Sequence, residues 1–277
     1  MPENINFRYN GVSSRRFFMN MNLIIDIGNT RAKMAFFHEN DLVEKAILDN
    51  LTLDALSTYL NGHTIEGVIM SVTGYDTEGV AKMLSEKYFF IQLNHHTSIP
   101  IQNLYGTPET LGKDRLAAVI AAQYLRPNEN CLVIDSGTCI TYNFLSKTGQ
   151  FLGGNIAPGL NMRLKAMHHF TANLPLIDRS SFKNVIVTAS GAWQEGDVTD
   201  LIGKSTIQAM LNGAQIGLLA EVEGFAQRFQ KQFGDIQVII TGGDGVFLNK
   251  NLSIEKIYFE PNLVLIGLNR ILNFNKK

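Results

Sequence analysis

Two short segments, Asp26-Ile27-Gly28-Asn29-Thr30 and Asp135-Ser136-Gly137-Thr138, repeat one device in the two halves of the chain. Each leaves a run of branched apolar residues, Leu23-Ile24-Ile25 in the first case and Leu132-Val133-Ile134 in the second. Such runs read as buried strands. Each segment therefore sets a carboxylate, a glycine and a hydroxyl on the turn that follows a core strand. The glycine lets the backbone approach a ligand closely and adopt positive φ. Neighbouring amides and hydroxyls can face phosphate oxygens, and the aspartate can hold a cation or its water. One Asp-x-Gly is common. Two of them, each opening half of the chain, predict a duplicated nucleotide-binding fold with phosphates clamped between the halves.

The surrounding pattern agrees with an α/β chain. Strands are predicted over 22–25, 32–37 and 42–48, a meander, then a helix over 53–60 and a strand over 67–71. A helix over 77–88 and a strand over 89–93 follow. Residues 100–112 lack periodicity and read as a functional loop before a helix over 114–125. The second half repeats the meander at 131–134, 140–145 and 151–156, with helices over 162–171 and 205–233. Gly213, Gly217 and Gly224 punctuate or break the longer one. A strand over 237–241 runs into Gly242-Gly243-Asp244-Gly245, and a helix over 261–273 closes the pattern. Strand–strand–strand then helix–strand–helix, twice, is an arrangement of two similar α/β domains, divided at 21–128 and 129–277.

Residues 1–20 stand apart, with Arg8, Arg15 and Arg16 and only Phe17-Phe18-Met19 as an apolar patch. That patch is too short for a signal-peptide core, so 1–20 reads as a disordered leader or a misassigned start. In the 277 residues no apolar run is long enough to span a bilayer, so no membrane partner is expected. Basic and acidic residues balance at 24 against 25, and no broad basic field advertises nucleic acid. Two cysteines at no zinc spacing suit a reducing cytoplasm. The pairs His95-His96 and His168-His169 invite a metal reading, but adjacent side chains point to different faces.

Within Asp26–Lys33, Gly28 opens the turn, Asn29 and Thr30 can bond phosphate oxygens, and Lys33 adds a positive charge. An ordinary Asn/Gly hairpin turn would look the same. Asp114 can accept the proton of an attacking alcohol, and Arg115 can fork onto a carboxylate. Equally, Asp114 can N-cap the helix that follows and pair with Arg115. Asp26 can hold a magnesium ion through water.

The chain further carries Tyr105-Gly106-Thr107-Pro108-Glu109-Thr110-Leu111-Gly112-Lys113-Asp114-Arg115, Gly153-Gly154-Asn155-Ile156-Ala157-Pro158-Gly159, Gly203-Lys204-Ser205-Thr206 and Thr241-Gly242-Gly243-Asp244. In this order and spacing it resembles type III pantothenate kinase, of the acetate kinase–sugar kinase–Hsp70–actin superfamily, across residues 21–277. The resemblance implies two actin-like (ribonuclease H-like) domains, each a mixed sheet flanked by helices, with an interdomain cleft. It implies ATP-dependent phosphorylation of pantothenate to 4'-phosphopantothenate, the first step of coenzyme A biosynthesis, in the cytoplasm. Residues Asp26, Ile27, Gly28, Asn29, Thr30, Arg31, Ala32 and Lys33 match the first phosphate motif, which grips ATP, and Thr138 matches a second ATP contact. Gly112, Lys113, Asp114 and Arg115 match the pantothenate-contacting element, with Asp114 as general base. Tyr105 and Thr206 match further substrate contacts, and Asp135 a ligand of a monovalent cation, K+ or NH4+. Mg2+ is the expected companion of ATP. A homodimer with a shared substrate pocket is also implied. Nothing carries over to 179–201, which looks longer than the family's pattern.

Two competitors stand beside this reading. A kinase of another small alcohol or sugar would keep the chemistry and change the contacts of Tyr105, Arg115 and Thr206. A non-catalytic transcription-regulatory relative would have no need of Asp26, Asp114 and Asp135 together.

Overall fold

The computed structural model describes residues 20–28, 31–73, 77–177, 186–187, 193–194 and 201–276. Residues 1–19, Asn29, Thr30 and most of 179–201 lie outside them. The chain divides into two compact units, Met1–Pro127 with Gly149–Phe151 and Asn262–Lys277, and Asn128–Thr148 with Leu152–Pro261.

In the first unit, strands β1 (Asn20–Ile27), β2 (Ala32–His38) and β3 (Asp41–Leu48) form an antiparallel meander. Helix α1 (Leu53–Leu60) starts at Thr52, whose hydroxyl accepts the Ala55 N–H at 3.2 Å. It leads to β4 (Thr64–Val72), and α2 (Glu78–Lys87) leads to β5 (Phe89–Gln92). β4 runs parallel to β1 and β5 parallel to β4, as crossover connections demand. The sheet order is β3-β2-β1-β4-β5. Its core gathers Leu23, Ile25, Met34, Phe36, Val68 and Met70 with Leu56 and Leu84 from the helices. Short strand β6 (Gln102–Asn103) pairs with Gln150 and Phe151, and a 3-10 turn, Pro108–Thr110, precedes α3 (Lys113–Leu125).

The second unit repeats the plan. β7 (Cys131–Ser136) pairs antiparallel with β8 (Cys139–Leu145), which neighbours β9 (Gln150–Pro158). Helix α4 (Leu160–His169) follows, then two-residue strands β10 (Ile186–Val187) and β11 (Trp193–Gln194), which pair with each other. Helix α5 (Thr206–Phe233) precedes β12 (Gln237–Thr241), α6 (Gly245–Asn251) and β13 (Ile257–Phe259). β12 is parallel to both β7 and β13, giving the order β13-β12-β7-β8-β9, with β6 added beside β9. Strand for strand, this is the first sheet again: β1 corresponds to β7, β2 to β8, β4 to β12 and β5 to β13.

α5 is one continuous helix, not a broken one. Its aromatic residues recur every four positions and lie on β8. Phe225 stacks on Tyr142 at 4.2 Å between ring centroids, and Phe233 on Phe144 at 4.0 Å. Burying large rings in this way outweighs three interior glycines at about 1 kcal/mol each. The sequence also hides α6 and β13, which are too short for a periodicity signal.

The last helix, α7 (Leu263–Asn275), belongs to the first unit and not, as the division at 128/129 implied, to the second. It packs on α3, where Gly267 sits against the Ala117 backbone with no room for a Cβ. The alanines of α3, at 117, 118, 121 and 122, permit that approach. Asn22, buried in β1, explains the polar side of α7: its amide donates to Asn269 at 2.6 Å and Asn273 at 2.8 Å. Lys276 completes the network, at 2.5 Å from the Asn22 Oδ1 and 3.2 Å from Glu66.

Candidate functional site

The candidate site in the first unit grows out of strand register. The hairpin between β1 and β2 sets Asp26 opposite Lys33, and the parallel pairing with β4 sets it opposite Ser71. Partners in register project to the same face, so a carboxylate, an ammonium and a hydroxyl stand in a row at the sheet's end. Asp26 is 8 % exposed. Burial, and then the negative charge of Asp114, raise its pKa above the usual carboxylate range, while the Lys33 charge and the neighbouring Ser71 hydroxyl pull it back. That opposition places Asp26 and Asp114 in one electrostatic neighbourhood within one unit. Ser71 carried no sequence signal, because its pairing with Asp26 spans a helix-containing connection.

Gly28 closes the turn, its N–H donating to the Arg31 carbonyl at 3.0 Å. It does not adopt positive φ, and a Cβ there would meet nothing nearer than 3.6 Å. Ile27 and Ala32 are buried and pair across the hairpin. Arg31 turns outward to Asp49 at 3.7 Å. Asn29 and Thr30, the two predicted phosphate donors, lie outside the described residues.

α3 opens at Lys113 with Gly112 as its N-cap, so Asp114 lies inside the first turn and is not the cap. Its Oδ1 accepts the Arg115 N–H at 2.8 Å, which satisfies one of the helix's unpaired amides. Gly112 is needed here, since a Cβ would sit 2.6 Å from that carboxylate oxygen. Lys113 donates to the Val72 carbonyl at 3.1 Å, tying α3 to the end of β4. Arg115, 5 % exposed, lies with its guanidinium carbon 5.2 Å from the Tyr105 ring centre and donates to the Tyr105 hydroxyl at 3.4 Å. Tyr105 in turn stacks on Phe151 at 6.0 Å. Tyr105, Gly112, Lys113, Asp114 and Arg115 are thus one connected cluster.

The second unit builds its turn differently. Asp135 pairs with Thr241 and Thr141 in register at the end of β7. Gly137 donates to the Cys139 carbonyl at 2.9 Å, and like Gly28 it has ordinary φ and room for a Cβ. The obligatory glycines are its neighbours. Gly242, with φ of 95°, presses on the Ser136 carbonyl and the Asp135 carboxylate. Gly159 presses on the carbonyls of Gly137 and Thr138, and its N–H donates to Thr138 at 3.2 Å. Asp244 donates its N–H to the Ser136 carbonyl at 2.9 Å. Thr138 is exposed at the tip.

Thr206 is the first residue of α5 and exposed. Ser205 caps the helix by accepting from Gln208, whose side chain accepts the Lys204 N–H at 3.0 Å. Gly203 fits against the Ala209 backbone. Among the described residues, no group of three or more histidine, cysteine or acidic side chains gathers as a metal site. The His95 and His96 rings touch in a tilted pair at 3.9 Å, and His168 bonds the Leu174 carbonyl.

Two sheets of one topology, each with an aspartate at the end of its middle strand, define an actin-like fold. The ROK hexokinase from Thermus thermophilus shares it, with a TM-score of 0.52 at 14 % identity over 93 % of this chain and 100 % of that one. The model of the type III pantothenate kinase family matches residues 22–228, and the chain belongs to that family. It is 42 % identical over 256 residues to the type III pantothenate kinase of Bacteroides fragilis strain YCH46, covering 92 % of this chain and 98 % of that one. To the enzyme of Phocaeicola vulgatus it is 40 % identical over 258 residues, covering 93 % and 100 %. No helix among the described residues is long and apolar enough to cross a membrane.

Proposed function

We propose that this chain phosphorylates pantothenate with ATP, opening coenzyme A biosynthesis, and that Asp114 is the base that receives the proton of the attacking alcohol. The observation that carries this assignment is the meeting of Asp26, Lys33 and Ser71 with Asp114 at one edge of the first unit. A primary alcohol attacks phosphorus better as its proton departs, and phosphoryl transfer otherwise depends on alignment and charge neutralisation. Asp114 is held by the Arg115 amide and given space by Gly112, so its carboxylate is already oriented. Tyr105 and Arg115 supply an aromatic wall and a fixed cation suited to the pantothenate carboxylate. Thr138 and the backbone of 26–33 would hold the ATP phosphates.

Gly28 and Gly137 support the phosphate reading in a specific way. Neither is required by the fold, since both have ordinary φ and space for a side chain. A glycine unneeded internally suits a surface that a ligand's oxygens must approach. Asp26 would hold Mg2+ through water, and Asp135 a monovalent cation; the Ser136 carbonyl and the Asp135 carboxylate both face Gly242, and two oxygens there suit such an ion. These cations supply positive charge to the phosphates.

The fold is also consistent with a homodimer. Gly213, Gly217 and Gly224 lie on one face of α5, and a Cβ at any of them would meet only open space. Helix glycines that serve no contact within the described chain suit close packing by a second copy. Ile156, Met162, Leu201, Ile202 and Ile207 are exposed in the same unit.

The test is ATP turnover with and without pantothenate, in potassium and in sodium buffers, for the wild type and Asp114→Asn. Pantothenate-dependent turnover should fall ~10²–10⁴-fold in the variant. Wild-type turnover indifferent to pantothenate would remove the substrate assignment, and an undiminished variant would remove the base.

A further inference from the structure

Outside the residues so far given roles, three polar side chains in the second unit form a chain that ends on the second phosphate turn. Tyr142 is fully buried in β8, and its hydroxyl donates to Glu221 Oε1 at 2.7 Å. Arg163 Nη2 donates to Glu221 Oε2 at 2.6 Å, and Arg163 Nε donates to the Pro158 carbonyl at 2.9 Å. Pro158 lies just before the N-cap of α4, which has no side-chain cap of its own. The next residue, Gly159, donates its N–H to the Thr138 carbonyl and leaves no room for a Cβ between itself and Gly137. On the other side, Gly154 is pressed on the Tyr142 carbonyl. Both ends of the segment 154–159 are therefore registered to this network.

A partly buried charge pair is weak evidence for stability, because desolvation offsets most of its Coulomb attraction. What it fixes well is geometry. Glu221 has both oxygens committed, Arg163 serves an acid and a carbonyl with one planar group, and Tyr142 is immobilised by stacking on Phe225. Burial and the adjacent carboxylate push the Tyr142 phenol above its ordinary value, so it stays a donor.

We propose that Tyr142, Glu221 and Arg163 form a positioning triad that sets, through Pro158 and Gly159, where the turn at Thr138 stands. The proposal rests on the reading of Thr138 as a contact of ATP. Arg163→Met should raise KM for ATP on the order of 10-fold, the size of losing one charge-assisted contact, with kcat changed less. Glu221→Gln should act in the same direction, and Arg163→Lys, which cannot grip two partners in one plane, should recover only part of the loss. Combined with Thr138→Ala, Arg163→Met should add nothing further to KM.

Phe225→Leu is the control for plain destabilisation: it thins the packing on Tyr142, should lower Tm, and should leave KM for ATP unchanged. If Thr138→Ala leaves KM for ATP unaltered, the nucleotide role of that turn fails and the triad's purpose with it. If Thr138→Ala raises KM while folded Arg163→Met and Glu221→Gln do not, the triad alone is refuted. Additive effects in the double variant, or an equal KM rise in Phe225→Leu, would also overturn it. Should Arg163→Met fail to fold, Arg163→Lys and Glu221→Gln give the same comparisons.

Discussion

The two Asp-x-Gly turns occupy the same place in two sheets of the same topology, yet they are built from different materials. Around Asp26 the surroundings are side chains: Lys33 and Ser71 from neighbouring strands, and the charge of Asp114. Around Asp135 they are largely backbone, with Gly242 on one side and Gly159 on the other pressed onto the turn's carbonyls. One unit places charge; the other places a surface. Duplication of a fold therefore does not duplicate the consequences of mutation. A substitution near Asp26 should act on chemistry and ionisation, and one near Asp135 on shape.

The largest contrast should come from Asp114→Asn against Gly242→Ala. The first should lose orders of magnitude in kcat with a nearly unchanged Tm. The second forces a Cβ onto Ser136 and Asp135 at a φ of 95°, and should destabilise by about 1–3 kcal/mol while raising KM for ATP. Thermal melts and steady-state kinetics on both variants decide it, and a harmless Gly242→Ala would end the distinction.

Asp26→Asn should separate function from stability more finely. Because burial raises the Asp26 pKa, its favourable contribution is complete below the ordinary value of 3.8 and is lost as pH rises through the folded value. At neutral pH the burial of this carboxyl thus counts against the stability of the unliganded fold. Asp26→Asn should melt higher than the wild type at pH 7 although inactive, and the two melting curves should converge in acid.

Gly28→Ala should be smaller again. With ordinary φ and open space, it should shift stability within about 1 kcal/mol, in the stabilising direction, yet weaken ATP binding measured by titration. Last, Arg31→Ala breaks only a 3.7 Å pair whose side chains are 54 % and 92 % exposed, and should change Tm by almost nothing, consistent with ~0–1 kcal/mol.

Much of this was legible in the sequence where the signal is local. The apolar runs gave β1 and β7, and alternation gave the meanders, because a strand's pattern needs only its own residues. The opposition of Asp26 and Lys33 follows from a tight hairpin. Ser71 is different: a parallel partner is chosen by a connection that folds over the sheet, and no spacing encodes it. The same holds for α7, whose apolar stripe is plain in sequence while its mate, α3, lies far back in the chain. The start of α3 was missed by one residue because Asp114 has the chemistry of a cap, whereas Gly112 has the geometry of one. Positive φ at Gly28 and Gly137 was expected from the motif and is absent, the strain having moved to Gly242.

The packing of α7 sets a schedule for biosynthesis. β1 leaves the ribosome long before α7, yet the side chains that satisfy its buried Asn22 sit on that helix at Asn269 and Asn273. At ~5–20 residues per second, β1 and its sheet wait roughly 10 to 50 s for that helix. Meanwhile the whole of the second unit is translated, with every strand of its own β7-to-β13 repeat at hand. The later-synthesised unit is therefore the one able to finish folding first. The earlier one cannot cover the faces of α3, β1 and β4 that α7 packs on until that helix has been made.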